Sequence, residues 1–130
     1  MGALKHVNIA TKGEVTIEVI VGFQKPAGIE VALYGTDRRK EKVLGSGVSL
    51  DPIPDKFQVA PAAKASTLDG KFVGTFVAIS SFSPVPSEPV SVTSVLRQDD
   101  VPVPGGTTTV MGAVVNGGGG VVIVYQLAVV

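Results

Sequence analysis

The residue types that carry out chemistry are scarce in this chain. It has one histidine, His6, and no cysteine in 130 residues. A serine nucleophile needs a base to take its proton, most often an imidazole. His6 lies in an N-terminal run that reads as an edge strand, and it is expected to be a surface side chain with no catalytic role. Gly45-Ser46-Gly47 lacks the spacing of a nucleophile elbow and reads as a bulge. The lack of thiols removes cysteine nucleophiles, thiolate zinc sites and iron–sulfur clusters. Glycoside hydrolysis by paired carboxylates needs two acids ~5–9.5 Å apart. Glu14 and Glu18 fall on one side of a strand, where four residues of rise place them ~13 Å apart. Together with Glu30 they read as solvated acids on a sheet face. No enzymatic activity is expected.

Three candidate binding features remain. Asp99-Asp100 sits in a turn-rich stretch, and Asp51 and Asp55 sit in another. Hard cations take oxygen ligands from such loops, so Asp99 and Asp100 are the candidate calcium ligands, set against the simpler role of aspartate in turns. No other cofactor is expected. Arg38, Arg39, Lys40 and Lys42 form a basic tip that could contact an anionic group, although Asp37 and Glu41 are interleaved with it. Gly117 to Gly120 is not a phosphate loop, because no Lys-Ser/Thr follows and a strand does. Eleven basic and eleven acidic residues cancel, so the chain has no global field for a polyanion. Nucleic acid is not expected as a partner.

The elements that would position these residues are strands. Hydrophobic residues make up 45% of the chain and valine dominates them, while sixteen glycines and nine prolines interrupt it at short intervals. In residues 14–23 the odd positions read Val, Ile, Val, Val, Phe and the even ones begin Glu, Thr, Glu, a period of two with one wet face. Leu4, Val7 and Ile9 suggest a first strand, joined to the second by a tight turn at Thr11-Lys12-Gly13. Ile29, Val31 and Leu33 mark a third, and residues 43–48 a fourth. Phe57 and Val59 mark a short fifth strand. Ala-rich residues 61–69 are the one helical candidate. In residues 71–82, Phe72, Phe76 and Ala78 point one way and Val73, Val77 and Ile79 the other, which suits a central strand. A strand over 90–96 is followed by a loop over 98–106, then by strands over 107–115 and 121–130 joined at Asn116 to Gly120. The expected fold is all-β: a two-layer antiparallel β-sandwich, Ig-like or jelly-roll-like, of eight or nine strands in one domain, residues 1–130.

The last strand decides the functional expectation. Val121 to Val130 is apolar on both sides and carries no charge, unlike a guarded edge. Its odd side is expected to face the core. Its even side, Val122, Val124 and Gln126, with Val110 on the hairpin partner, is expected to meet another subunit. Charge is lopsided too, with 15 of the 22 charged residues in 1–60 and none in 101–130. The expected function is a non-enzymatic binding or structural module that self-associates, such as a subunit of a virion or surface assembly or an adhesin-like domain, with a protein or glycan partner. The alternative is a lectin-like carbohydrate or small-ligand binder with a loop-end site, calcium-assisted. No membrane span is expected, since ten apolar residues are about half of the ~20 a helix needs. No retained leader is visible, and the compartment is left open.

Overall fold

A computed structural model describes residues 2–23, 26–49, 54–80, 87–115 and 118–130. Nine strands follow in chain order: β1 (Gly2–Ile9), β2 (Val15–Val21), β3 (Ala27–Tyr34), β4 (Lys40–Ser49), β5 (Asp55–Ala60), β6 (Phe72–Ser80), β7 (Ser87–Gln98), β8 (Val101–Val115) and β9 (Gly118–Val129). A short 3₁₀ helix, Ala62–Leu68, precedes β6 and buries Ala65 and Leu68. Strand makes up 75% and helix 6%, so the all-β expectation holds. The sandwich is reached only in its coarser form. The strands follow one hydrogen-bonded path, β4-β3-β6-β9-β8-β7-β2-β5, a nearly closed, barrel-like sheet that is antiparallel along its length.

β1 lies off this path and pairs in parallel with β9, from Gly2 opposite Val122 to Ile9 opposite Val129. The expected β1–β2 hairpin does not form, because residues 10–14 cross to β7 instead. Gln98 holds them: its Oε1 accepts from Ala10 N at 2.8 Å, and its Nε2 donates to the carbonyls of Ala10 at 2.9 Å and Lys12 at 3.1 Å. Gly13 does take positive φ, +122°, and a Cβ there would meet Asp99 Oδ2 at 2.8 Å. β8 pairs with β9 only at Val115–Gly118, where the hairpin closes, and β1 lies against both strands beyond it.

One hydrophobic cluster draws on every strand except β4, whose Leu44 packs against it. Val15, Ile17, Val19 and Val21 are buried as their period of two requires. Val121, Ile123, Tyr125 and Leu127 fill the core from β9, so the odd side of that strand does face inward. At the centre, the Tyr125 hydroxyl donates to the Ser94 carbonyl at 3.1 Å and lies 2.9 Å from Thr108 Oγ1. Burial pushes this phenol above the ordinary tyrosine range, against the lowering effect of those two hydrogen bonds.

Three local expectations change. Phe23, read as the last core position of β2, sits in the turn beyond it at φ +63° and is 52% exposed. Glu18, read as wet, is buried: β7 and β5 flank β2, bringing Arg97 Nε to 2.8 Å and Lys56 Nζ to 3.5 Å from its Oε1. The loop expected over 98–106 is a two-residue hairpin turn. Asp99 and Asp100 both have positive φ, and Gln98 pairs with Val101. β8 then bulges over 103–106 opposite Leu96 before regaining register at Thr107.

Candidate functional site

The side of β3, β6, β9 and β1 that faces away from the core carries an apolar groove. Register alone assembles it. Tyr34 pairs with Phe72, Phe72 with Gln126, and Gln126 with His6. The next rung is Ala32, Gly74, Val124 and Leu4, and the one after it is Glu30, Phe76, Val122 and Gly2. Gly28, Ala78 and Gly120 follow. Three aromatic rings and three aliphatic side chains from four strands therefore share one patch.

Glycine shapes its floor. A Cβ on Gly74 would lie 3.1 Å from both Phe76 Cε2 and Tyr34 Cε2, so the bare backbone lets the two rings come together. Their centroids are 6.2 Å apart at an interplanar angle of 59°. Leu4, Tyr34, Phe72, Phe76, Val122 and Val124 line a groove of about 350 Å³, and Arg38 is the one charged residue on its wall. The Arg38 guanidinium carbon lies 5.7 Å from the centroid of the Phe72 ring beneath it. A second depression, past Phe76 and Val122, continues over Gly28 and Gly47, where an added Cβ would meet nothing within 4 Å. Leu4, Val43 and Val48 stand exposed around the two, Leu4 at 55%. The far side of the molecule differs: outward groups of β2, β5, β7 and β8 include the Glu18 ion pairs and a Thr93–Thr109 hydroxyl contact of 2.9 Å.

The expected interface residues divide. Val122, Val124 and Gln126 do lie on the outward side, with Val122 and Val124 in the groove. Val110 does not, because beyond the bulge the even positions of β8 turn inward and its side chain packs against the core.

The basic tip is the β3–β4 hairpin. Arg38 N donates to Gly35 O, and Gly35 N to Arg39 O, each at 2.9 Å. This turn puts Arg38 at φ +66°. Its cations do not act as one cluster. Arg39 Nε is 3.8 Å from Asp37 Oδ2, and Lys40 Nζ is 3.0 Å from Glu30 Oε1. The Glu30 hydrogen bond holds the Lys40 ammonium above the usual lysine range. Lys42 pairs in register with core residue Leu33 and lies away from the groove. Lys71, outside the tip, binds Glu41 Oε2 at 2.8 Å.

Of the calcium candidates, Asp99 uses its carboxylate to hold the chain, and Asp100 contributes its backbone carbonyl. Asp99 Oδ1 accepts from Glu14 N at 2.9 Å, and Asp99 N donates to Glu14 O at the same distance. The Asp100 carbonyl accepts from Arg97 at 3.1 Å. Asp51 lies outside the described residues. Among the described residues no three His, Cys, Asp or Glu side chains gather around one point. His6 is exposed on β1 beside Gln126. Among the described residues no helix is long and apolar enough to cross a membrane.

The sequence carried one sign of the groove, the apolar character of both sides of β6 and β9. It could not bring Leu4, Tyr34 and Arg38 to them, since that depends on strand order. Compared with protein families, with curated proteins and with solved structures, the chain matches none.

Proposed function

We propose that the protein is a non-enzymatic binding module whose working surface is the outward face of β3, β6, β9 and β1. One observation carries this reading: an aromatic and aliphatic groove assembled in register across four strands, with a single cation on its wall. Specific apolar patches on protein surfaces mark interaction sites. Here glycines at 28, 47 and 120 keep the face open where larger side chains would fill it. We take the strand path to be folded as two facing layers, β4-β3-β6-β9-β1 and β8-β7-β2-β5, each with an outer face. The near-absence of β8–β9 pairing supports that division.

Two occupants suit the face. A second copy of the chain would make the protein a subunit of an assembly, and the exposed Leu4, Val43 and Val48 around the groove favour it. A small ligand is favoured by the groove itself and by Arg38. Light scattering on wild type and Val124→Lys separates them. A wild type larger than a monomer at about 100 μM, which would populate dimers of micromolar affinity, reduced to a monomer by Val124→Lys with its β spectrum intact, supports the assembly. A wild-type monomer assigns the face to a ligand. If Val124→Lys alters neither self-association nor the binding of any apolar probe, the reading of the face is wrong.

A further inference from the structure

We propose that the groove binds a small monocarboxylate with an apolar or aromatic body, its carboxylate received by Arg38. The proposal rests on the reading of this face as the working surface and names its ligand. The cavity of about 350 Å³ falls within the size range of small-molecule sites, which combine apolar walls with few polar groups that fix orientation. Tyr34, Phe76, Val122 and Val124 supply the walls, and Arg38 is the only charged group on them.

The neighbouring cations near this rim are engaged. Arg39 faces Asp37, Lys40 faces Glu30, and Lys71 faces Glu41. Arg38 has no carboxylate within ion-pair distance among the described residues, and its guanidinium lies over the Phe72 ring. A guanidinium lying over a ring keeps its N–H donors available at its edge, and their planar fork matches the two oxygens of a carboxylate. Arg38 also holds a left-handed backbone, φ +66°, that is costly for a residue with a Cβ. The turn tolerates this conformation where glycine would take it freely, and the result is a guanidinium directed over the groove.

Asp37, Glu30 and Glu41 are each paired with a cation, which leaves the single charge of Arg38 uncompensated at the groove and matches a ligand with one carboxylate. A second copy is a poorer fit to Arg38. The acid that this face would bring, Glu30, is already bound by Lys40 at 3.0 Å.

The experiment uses a matched pair, 4-phenylbutyrate and 4-phenylbutan-1-ol, titrated into the full chain and followed by amide chemical shifts. The butyrate is expected to bind about tenfold more tightly than the alcohol, the scale of one charge-assisted contact. Both should shift the amides of Leu4, Phe76 and Val124. Arg38→Gln should remove the butyrate's advantage, bringing the ratio of the two affinities close to one. Arg38→Lys, which keeps the charge without the fork, should fall between. Circular dichroism confirms that each variant is folded, as expected for an exposed turn residue. Equal binding of the pair, unmoved by Arg38→Gln, overturns the carboxylate proposal and leaves the reading of the face standing. If neither compound shifts those amides, the reading of the face falls and the proposal with it. A dimer by light scattering that closes the groove and that the butyrate does not dissociate also overturns it.

Discussion

Replacing Tyr125 by Phe removes one oxygen from the centre of the core and tests the packing around it. Tyr125 is fully buried, and its hydroxyl reaches the Ser94 carbonyl at 3.1 Å and Thr108 Oγ1 at 2.9 Å. Loss of the hydroxyl leaves both partners short of a hydrogen bond in a dry site. A buried polar group left unsatisfied costs about 1–3 kcal/mol. That is a sizeable share of the 5–15 kcal/mol by which domains are usually stable. The expected loss is therefore about 1–3 kcal/mol by urea titration, or a fall in melting temperature of roughly 3–5 °C per kcal/mol for a chain of this size. A second readout uses pH. Burial raises the Tyr125 phenol above its unfolded value, near 10. Between the two values the unfolded chain has released the proton and the folded chain keeps it, so rising pH favours unfolding. The stabilising contribution is complete below pH ~10 and is lost as pH climbs through the folded value. In a Tyr34→Phe background Tyr125 is the one remaining tyrosine, and its phenolate absorbance should lag behind that of the urea-unfolded chain. A loss under about 0.5 kcal/mol in Tyr125→Phe, or coincident titration of folded and unfolded chains, would refute the assignment.

Two further substitutions probe the rest of the framework. Ile17→Ala removes a fully buried side chain from β2 and should cost about 2–5 kcal/mol in chemical denaturation. Glu18→Gln leaves Arg97 and Lys56 facing a neutral group. Since both cations retain some exposure, the expected loss at neutral pH is about 1–3 kcal/mol, below the 3–5 kcal/mol of a fully buried pair. In a denaturation series, Glu18→Met with Arg97→Met should lose less than the sum of the single changes; strict additivity would mean that the two do not interact.

Periodicity made the strands legible. It sorted the core side of β2 from Val15 to Val21, β6 and the odd side of β9 correctly, because each of those strands has one side in a continuous core. It failed where a neighbour in space decides the outcome. Nothing local to Glu18 announces that Arg97 of β7 and Lys56 of β5 will close over it. Asp99-Asp100 looked like loop or ligand because aspartates suit both, whereas two successive left-handed residues make a tight hairpin. β1 was joined to β2 on the strength of a short turn-like spacer, and Gln98, remote in sequence, ties that spacer to β7. The groove was half-visible for the same reason: two of its strands showed an unexplained apolar side, while its aromatic walls and its arginine come from partners that only strand order brings together.

The parallel union of β1 and β9 has a consequence for how the chain reaches its shape. β1 precedes the other strands in chain order, and its partner follows them. Val7 and Ile9, buried in the finished core, have no strand to pair with until β9 arrives. Closing a loop of nearly the whole chain is entropically costly, and topologies dominated by such distant contacts fold slowly. Until the two meet, the β1 segment can offer its backbone groups to a neighbouring chain. The six residues from Lys5 to Ala10 include a lysine, a histidine and an asparagine, and polar residues of this kind on an unpaired edge hinder its pairing with a neighbouring chain.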